Sequence, residues 1–73
     1  MSSTNGPRSS KLIGETAGAI WKYLDTSGPC TIAELIKSVD GTRDLVMQGV
    51  GWLAREEKVY IDERSRQRTI HLR

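Results

Sequence analysis

The chain has 73 residues, a net charge of +2 and 37% hydrophobic residues, which allows one small domain with a modest core. A single cysteine and a single histidine exclude an internal disulfide and a Cys/His zinc cluster. The apolar runs are too short to span a membrane, and one free thiol without a signal-like segment predicts a cytoplasmic protein. No metal and no cofactor are expected.

The first ten residues differ in composition from the rest of the chain. They are polar and rich in Ser, Gly and Pro, which predicts a disordered tail over residues 1–10 and a folded domain over residues 11–73. A helical period begins at Lys11, with Ser9 or Ser10 as its expected cap. Gly28 should end this first helix, whose apolar positions are Ile13, Ala17, Ile20 and Leu24.

Two further helices are indicated by capping residues. Thr31 and Glu34 have the spacing of a capping box at the start of a short second helix, which the Asp40-Gly41 turn closes. Thr42 then caps a third helix over residues 43–57, whose predicted core face is Val46, Gly49, Val50 and Leu53. Gly49 should allow the second helix to approach closely, whereas Gly51 lies on the outer side.

A β-hairpin follows the helices, since apolar residues alternate with polar ones in "KVYIDE" and again in "RTIHLR". An antiparallel register with Ile61 opposite Ile70 also places Val59 opposite Leu72 and Glu63 opposite Arg68. The loop "RSRQ" between the strands suits a four-residue turn of type I. The predicted fold is therefore α+β: a winged helix-turn-helix of three helices followed by a two-stranded β-hairpin wing.

Two segments also carry a family resemblance. "IGETAGAIWKYL" (13–24) and "GVGWLAREEKVYI" (49–61) resemble the small stand-alone winged-helix proteins of bacteria and archaea, whose functions are largely unassigned. The resemblance implies a DNA-binding role without indicating a target. Glu57 stands where many such proteins have glycine, which leaves the shape of the turn into the hairpin open.

The first functional interpretation is a protein that binds duplex DNA and acts in transcription regulation. In helix-turn-helix proteins the third helix enters the major groove, and Gln48 suits adenine while Arg55 suits guanine or phosphate. The wing arginines would neutralise phosphates. The candidate contacts are Thr42, Arg43, Met47, Gln48, Gly51, Arg55, Arg64, Arg66 and Arg68.

The charge of the third helix weighs against this interpretation. Asp44, Glu56 and Glu57 outnumber Arg43 and Arg55 over residues 43–57, so DNA contact would depend on the wing and the helix N-terminus. The alternative is that the wing arginines are a solvated edge that discourages pairing between sheets.

The second interpretation is a protein-interaction or homodimerisation module without nucleic-acid binding. Gly14 and Gly18 lie four residues apart beside Trp21, and Leu45 and Trp52 share a flank of the third helix. Either the first helix packs its glycines against another helix of the same chain, or these residues form an exposed interface.

An enzyme is not indicated, and no small-molecule substrate is evident. His71 is expected on the outer face of a strand, and Cys30 is expected to be a small buried apolar group. No phosphate-binding loop and no pair of nucleophile and base can be recognised.

Overall fold

A computed structural model describes residues 7–64 and 66–73, with side chains from Ser10 onward. Three helices surround one side of a small antiparallel sheet, and the predicted α+β architecture is confirmed with one additional strand. The elements are α1 (Pro7–Ser27), β1 (Cys30–Thr31), α2 (Ile32–Ser38), α3 (Arg43–Arg55), β2 (Val59–Asp62) and β3 (Thr69–Leu72).

The first helix begins earlier than its apolar period indicates. Residues 7–10 are helical, so the expectation that Ser9 or Ser10 caps α1 is wrong. Pro7 occupies the first helical position, where a missing N–H costs nothing and a fixed φ suits the helix. At the other end, Gly28 has a φ of 84° and its N–H donates to the Leu24 carbonyl at 2.8 Å, as a C-terminal cap should.

The caps predicted for the other two helices are confirmed. Thr31 Oγ1 accepts from the Glu34 N–H at 3.1 Å, and the Glu34 carboxylate accepts from the Thr31 N–H at 2.9 Å, which completes the capping box of α2. Thr42 Oγ1 accepts from the Leu45 N–H at 3.1 Å at the start of α3. Both helices are thus fixed at their N-termini by local side chains.

The hairpin register is also confirmed, with Ile61 opposite Ile70 and Val59 opposite Leu72. The sheet has the order β1-β3-β2, and its first strand was missed because two residues cannot show an alternating pattern. A hydrogen bond of 3.2 Å from the Ile32 N–H to the Arg68 carbonyl extends this pairing to the start of α2.

The ion pair observed in the hairpin differs from the predicted one. The predicted pair of Glu63 with Arg68 is not formed within residues 7–64 and 66–73, and Asp62 pairs instead with Arg64 at 2.7 Å. Residue 65 lies outside the described part of the chain, so the predicted turn type stays a prediction.

The core lies between the three helices and the inner face of the sheet. Eight apolar residues are predicted to share this core, and seven of them are buried while Ile61 is half-buried at its edge. The seven buried residues are Ile13, Ile20, Leu24, Leu35, Val46, Leu53 and Ile70. The side chains with no exposed surface are Ile20, Leu35, Val46 and Ile70, and they come from all three helices and the central strand.

α1 packs closely against α3 at Gly49. A Cβ at this position would lie 2.8 Å from Ile20 Cδ1 and 3.3 Å from the backbone nitrogen of Ala17. The expectation that the second helix approaches Gly49 is therefore wrong, because the neighbour is α1. A helical period identifies which face of α3 is buried, but not which element covers it.

The structure shows the shape of the turn between α3 and the hairpin, where Glu57 stands in place of glycine. The Glu57 N–H donates to Ala54 and the Lys58 N–H to Leu53, at 3.0 and 2.9 Å, which is the hydrogen-bond pattern of a Schellman motif. Glu57 has a φ of 60°, so a glutamate adopts the left-handed conformation that glycine normally supplies. The helix accordingly ends at Arg55, two residues before its predicted end.

Two glycines of α3 provide a matched test of its packing. We expect Gly49→Ala to destabilise the fold by about 1 kcal/mol or more, because the new methyl group must displace the buried Ile20. Gly51→Ala meets nothing within 4 Å and should stabilise it by about 0.5–1 kcal/mol through helix propensity. Urea unfolding measures both, and equal effects of the two substitutions would contradict this packing.

The strained turn after α3 gives a second test. Glu57→Gly should raise the free energy of unfolding by about 0.5–1 kcal/mol, since relief of the left-handed strain exceeds the entropy cost of glycine. Glu56→Gly is the matched control, because Glu56 has a φ of −81° and has no such strain to lose. The melting temperatures of the two variants should therefore change in opposite directions relative to the wild type.

Candidate nucleic-acid interface

The outer face of α3 is open to solvent. Asp44, Gln48, Gly51 and Arg55 recur at helical spacing opposite the buried face, and all four are exposed. Apart from the neighbouring backbone of α3, no atom of residues 7–64 and 66–73 lies within 4 Å of the position that a Cβ on Gly51 would occupy. A flat backbone surface is thus available between the Gln48 and Arg55 side chains.

Two of the predicted contact residues have other roles in the structure. Met47 is half-buried and packs against the core, so its side chain does not share the open face with Gln48. Thr42 is exposed, but its hydroxyl oxygen already accepts the Leu45 N–H as the cap of α3. The face that could meet bases is consequently narrower than the sequence indicates.

Arg43 and Arg68 come together although 25 positions separate them in the chain. They line a groove of about 230 Å³ between the start of α3, the N-terminal half of α2 and the wing. The Thr31 and Ile32 residues at the N-terminus of α2 form its floor. Two arginines on one groove provide positive charge that favours phosphate.

Gln48, Gly51 and Arg55 line a different groove, of about 310 Å³, between α3 and the N-terminal part of α1. Its other walls include Ile13 and Trp52. The predicted contact residues therefore fall into two groups: one lies along α3, and the other joins the α3 N-terminus to the wing.

Arg64 and Arg66 of the wing differ in whether an acidic residue of the described chain pairs with them. Arg64 donates to Asp62 from Nε at 3.0 Å and from a terminal nitrogen at 2.7 Å, and its backbone N–H adds a third bond at 3.0 Å. These bonds from the Arg64 side chain and backbone hold the pKa of the Asp62 carboxyl well below its usual range. Asp62 thus stays ionised at neutral pH and offsets the charge of Arg64, whereas Arg66 is exposed and is joined by no ion pair within the described residues.

The predicted protein-interface residues converge only in part. Gly14, Gly18, Trp21 and Trp52 line one groove of about 530 Å³, which we call the tryptophan groove. Trp21 is 40% exposed and Trp52 is 44% exposed. The alternative that another helix of the same chain packs on Gly14 and Gly18 is wrong, because no other described segment has an atom within 4 Å of a Cβ at either position.

Leu45 does not belong to this groove. It is half-buried, and its Cδ2 lies 3.3 Å from the position of a Cβ on Gly41, so it covers the turn before α3. The remaining walls of the tryptophan groove were not predicted, since they come from α1, α3, the turn that follows α3 and the residue after β3. They are Ala17, Leu53, Glu57, Lys58 and Arg73.

Cys30 lies in the core and His71 lies on the outer face of the sheet. Burial raises the pKa of the Cys30 thiol and nearby Glu34 raises it further, so the thiolate is disfavoured. His71 stacks on Tyr60 across the outer face of the sheet, with ring centroids 4.9 Å apart and planes inclined by 8°. Over the described residues, His, Cys, Asp and Glu form no group of three that could hold a metal, and no helix is long and apolar enough to cross a membrane.

The helix order, the capped α3 and the β2–β3 hairpin define a winged helix-turn-helix protein. Residues 8–72 match the family described as winged helix-turn-helix domain (DUF2582), and the chain belongs to that family.

Two relatives show how widely the fold is distributed. The chain is 33% identical over 51 residues to the uncharacterized protein MJ1608 of Methanocaldococcus jannaschii. The aligned segment covers 67% of this chain and 73% of that protein. The solution NMR structure of protein BT2368 from Bacteroides thetaiotaomicron superimposes with a TM-score of 0.77 at 33% identity, over 86% of this chain and 77% of that one. The resemblance to archaeal and bacterial winged-helix proteins of unassigned function is thereby confirmed.

Proposed function

We propose that the protein is a non-catalytic DNA-binding module, acting in transcription regulation, that contacts duplex DNA through α3 and the wing. The observation that carries this proposal is the open outer face of α3, in a fold whose third helix is the one that enters the major groove. Gln48 and Arg55 flank Gly51 on that face, and the missing side chain lets the backbone approach base edges.

Phosphate contacts would come from a separate group of residues. Arg43 and Arg68 lie on one groove beside the N-terminus of α2, and Arg66 extends from the wing. Such contacts position a protein on the duplex without reading its sequence. They also offset Asp44, which is the acidic residue on the outer face of α3.

A titration of random-sequence duplex at low and moderate salt tests the proposal. Arg66→Ala and Arg68→Ala should each weaken binding and lower the slope of log affinity against log salt by about 0.9, the value for one lost phosphate contact. Lys37→Ala is the matched control, since Lys37 is an exposed basic residue in the last turn of α2 and does not line the groove of Arg43 and Arg68. Wild-type protein that does not bind even at low salt, or variants that match the control, would reject the proposal.

The Asp62–Arg64 pair gives a prediction of the opposite sign. Asp62→Asn removes the carboxylate that holds Arg64 and should strengthen duplex binding by about threefold to tenfold, as one more arginine becomes available. Glu63→Gln also removes one negative charge, but it frees no arginine within the described residues, so its effect should be smaller. Equal gains from both variants would show that only the total charge of the wing matters.

The second candidate function is a protein-interaction module without nucleic-acid binding. The observation that favours it is the tryptophan groove, where two large aromatic side chains stay exposed beside two glycines. Nuclear magnetic resonance separates the two candidates, since added duplex should shift the amide signals of Gln48 and Arg55 but not those of Gly14 and Gly18.

A further inference from the structure

The exposed side of α1 carries a regular stripe that the DNA-binding proposal does not use. Its members recur at alternating spacings of three and four residues, as in a coiled-coil seam, and we call them the α1 stripe. Gly14 is half-buried and the other four residues are exposed. The α1 stripe consists of Lys11, Gly14, Gly18, Trp21 and Asp25.

The α1 stripe has no partner within the described chain. Nothing lies within 4 Å of a Cβ at Gly14 or Gly18, and Trp21 leaves 40% of its surface exposed. Lys11 and Asp25 form no ion pair with any described residue. A helix packed with its backbone over the two glycines would bury Trp21. It would also face Trp52, which lines the same groove from α3.

We propose that the occupant is the α1 helix of a second copy of this chain, packed antiparallel about a two-fold axis at Gly18. Lys11 and Asp25 each lie seven residues from Gly18, so this axis puts Lys11 of each copy opposite Asp25 of the other. The same axis brings Trp21 of one copy next to Gly14 of the other, since Trp21 lies three residues after Gly18 and Gly14 lies four residues before it.

The flanking charges agree with the same axis. Glu15 and Lys22 are exposed on one side of the α1 stripe. The antiparallel arrangement brings Glu15 of each copy close to Lys22 of the other. A parallel arrangement would instead place Lys11 against Lys11 and Asp25 against Asp25, which like-charge repulsion disfavours. Size and charge complementarity thus select a second copy and one orientation.

Gln48, Gly51 and Arg55 do not line the tryptophan groove, and Trp52 is the residue that this groove shares with theirs. The inference does not depend on DNA binding, and its test contains no nucleic acid. A two-fold dimer that also bound duplex would present two copies of α3 to a two-fold symmetric site.

Charge exchange across the axis tests the proposal by sedimentation equilibrium without DNA. Lys11→Asp and Asp25→Lys should each raise the dimer dissociation constant by about tenfold or more, since each creates two like-charge contacts. An equimolar mixture of the two variants should associate as well as the wild type, because both opposite-charge pairs are restored in the mixed dimer. Lys37→Asp is the control, since Lys37 is an exposed basic residue of α2 and lies outside the α1 stripe.

Gly18→Glu supplies an independent variant. It meets no internal atom and keeps α1 helical, so the fold should persist by circular dichroism while two carboxylates face each other at the axis and separate the copies. The proposal is overturned if the wild type stays at the monomer mass of 8.2 kDa at every concentration up to about 1 mM. It is equally overturned if mixing Lys11→Asp with Asp25→Lys restores nothing.

Discussion

The contact of α1 with α3 at Gly49 is the constraint on which the other features depend. Because Gly49 has no side chain, Ile20 Cδ1 and the Ala17 backbone nitrogen lie only 2.8 and 3.3 Å from the position that a Cβ would occupy. This close contact fixes how α3 lies on α1, and so which side of α3 turns to solvent. It also sets Trp21 and Trp52 on opposite walls of one groove. Both candidate surfaces are therefore consequences of a single helix crossing.

The wing is held by a second, weaker set of interactions. β3 lies between β1 and β2, and the Arg68 carbonyl accepts the N–H of Ile32 at the first residue of α2. Thr31 is at once a strand residue and the cap of α2, so the wing and the second helix share one anchoring point. That shared point explains why Arg68 lies beside Arg43 although neither residue's local sequence indicates it.

Local chemistry made most of the fold predictable. The capping box at Thr31, the Thr42 cap and the period-two hairpin are each specified within a few residues, and all were confirmed. Features that depend on tertiary contacts were not predictable: the covering of Gly49 by α1 and the pairing of β1 with β3. The candidate contact residues were chosen by helical spacing alone, which could not show that Met47 packs inward or that Asp62 engages Arg64. Glu57 shows the converse, since the hydrogen bonds of the turn impose a conformation that its side chain disfavours.

The pairing of Cys30 with Ile70 has a consequence for how the chain assembles. The hairpin between β2 and β3 closes a short loop, whereas β1 can pair only after the chain has passed through α2, α3 and the wing. The entropy lost on closing a loop grows with its length, and contacts between distant positions slow folding. The two-residue edge strand therefore combines the largest closure cost in the sheet with the fewest hydrogen bonds to offset it. Among the three strands, β1 is the one expected to join last and to detach first.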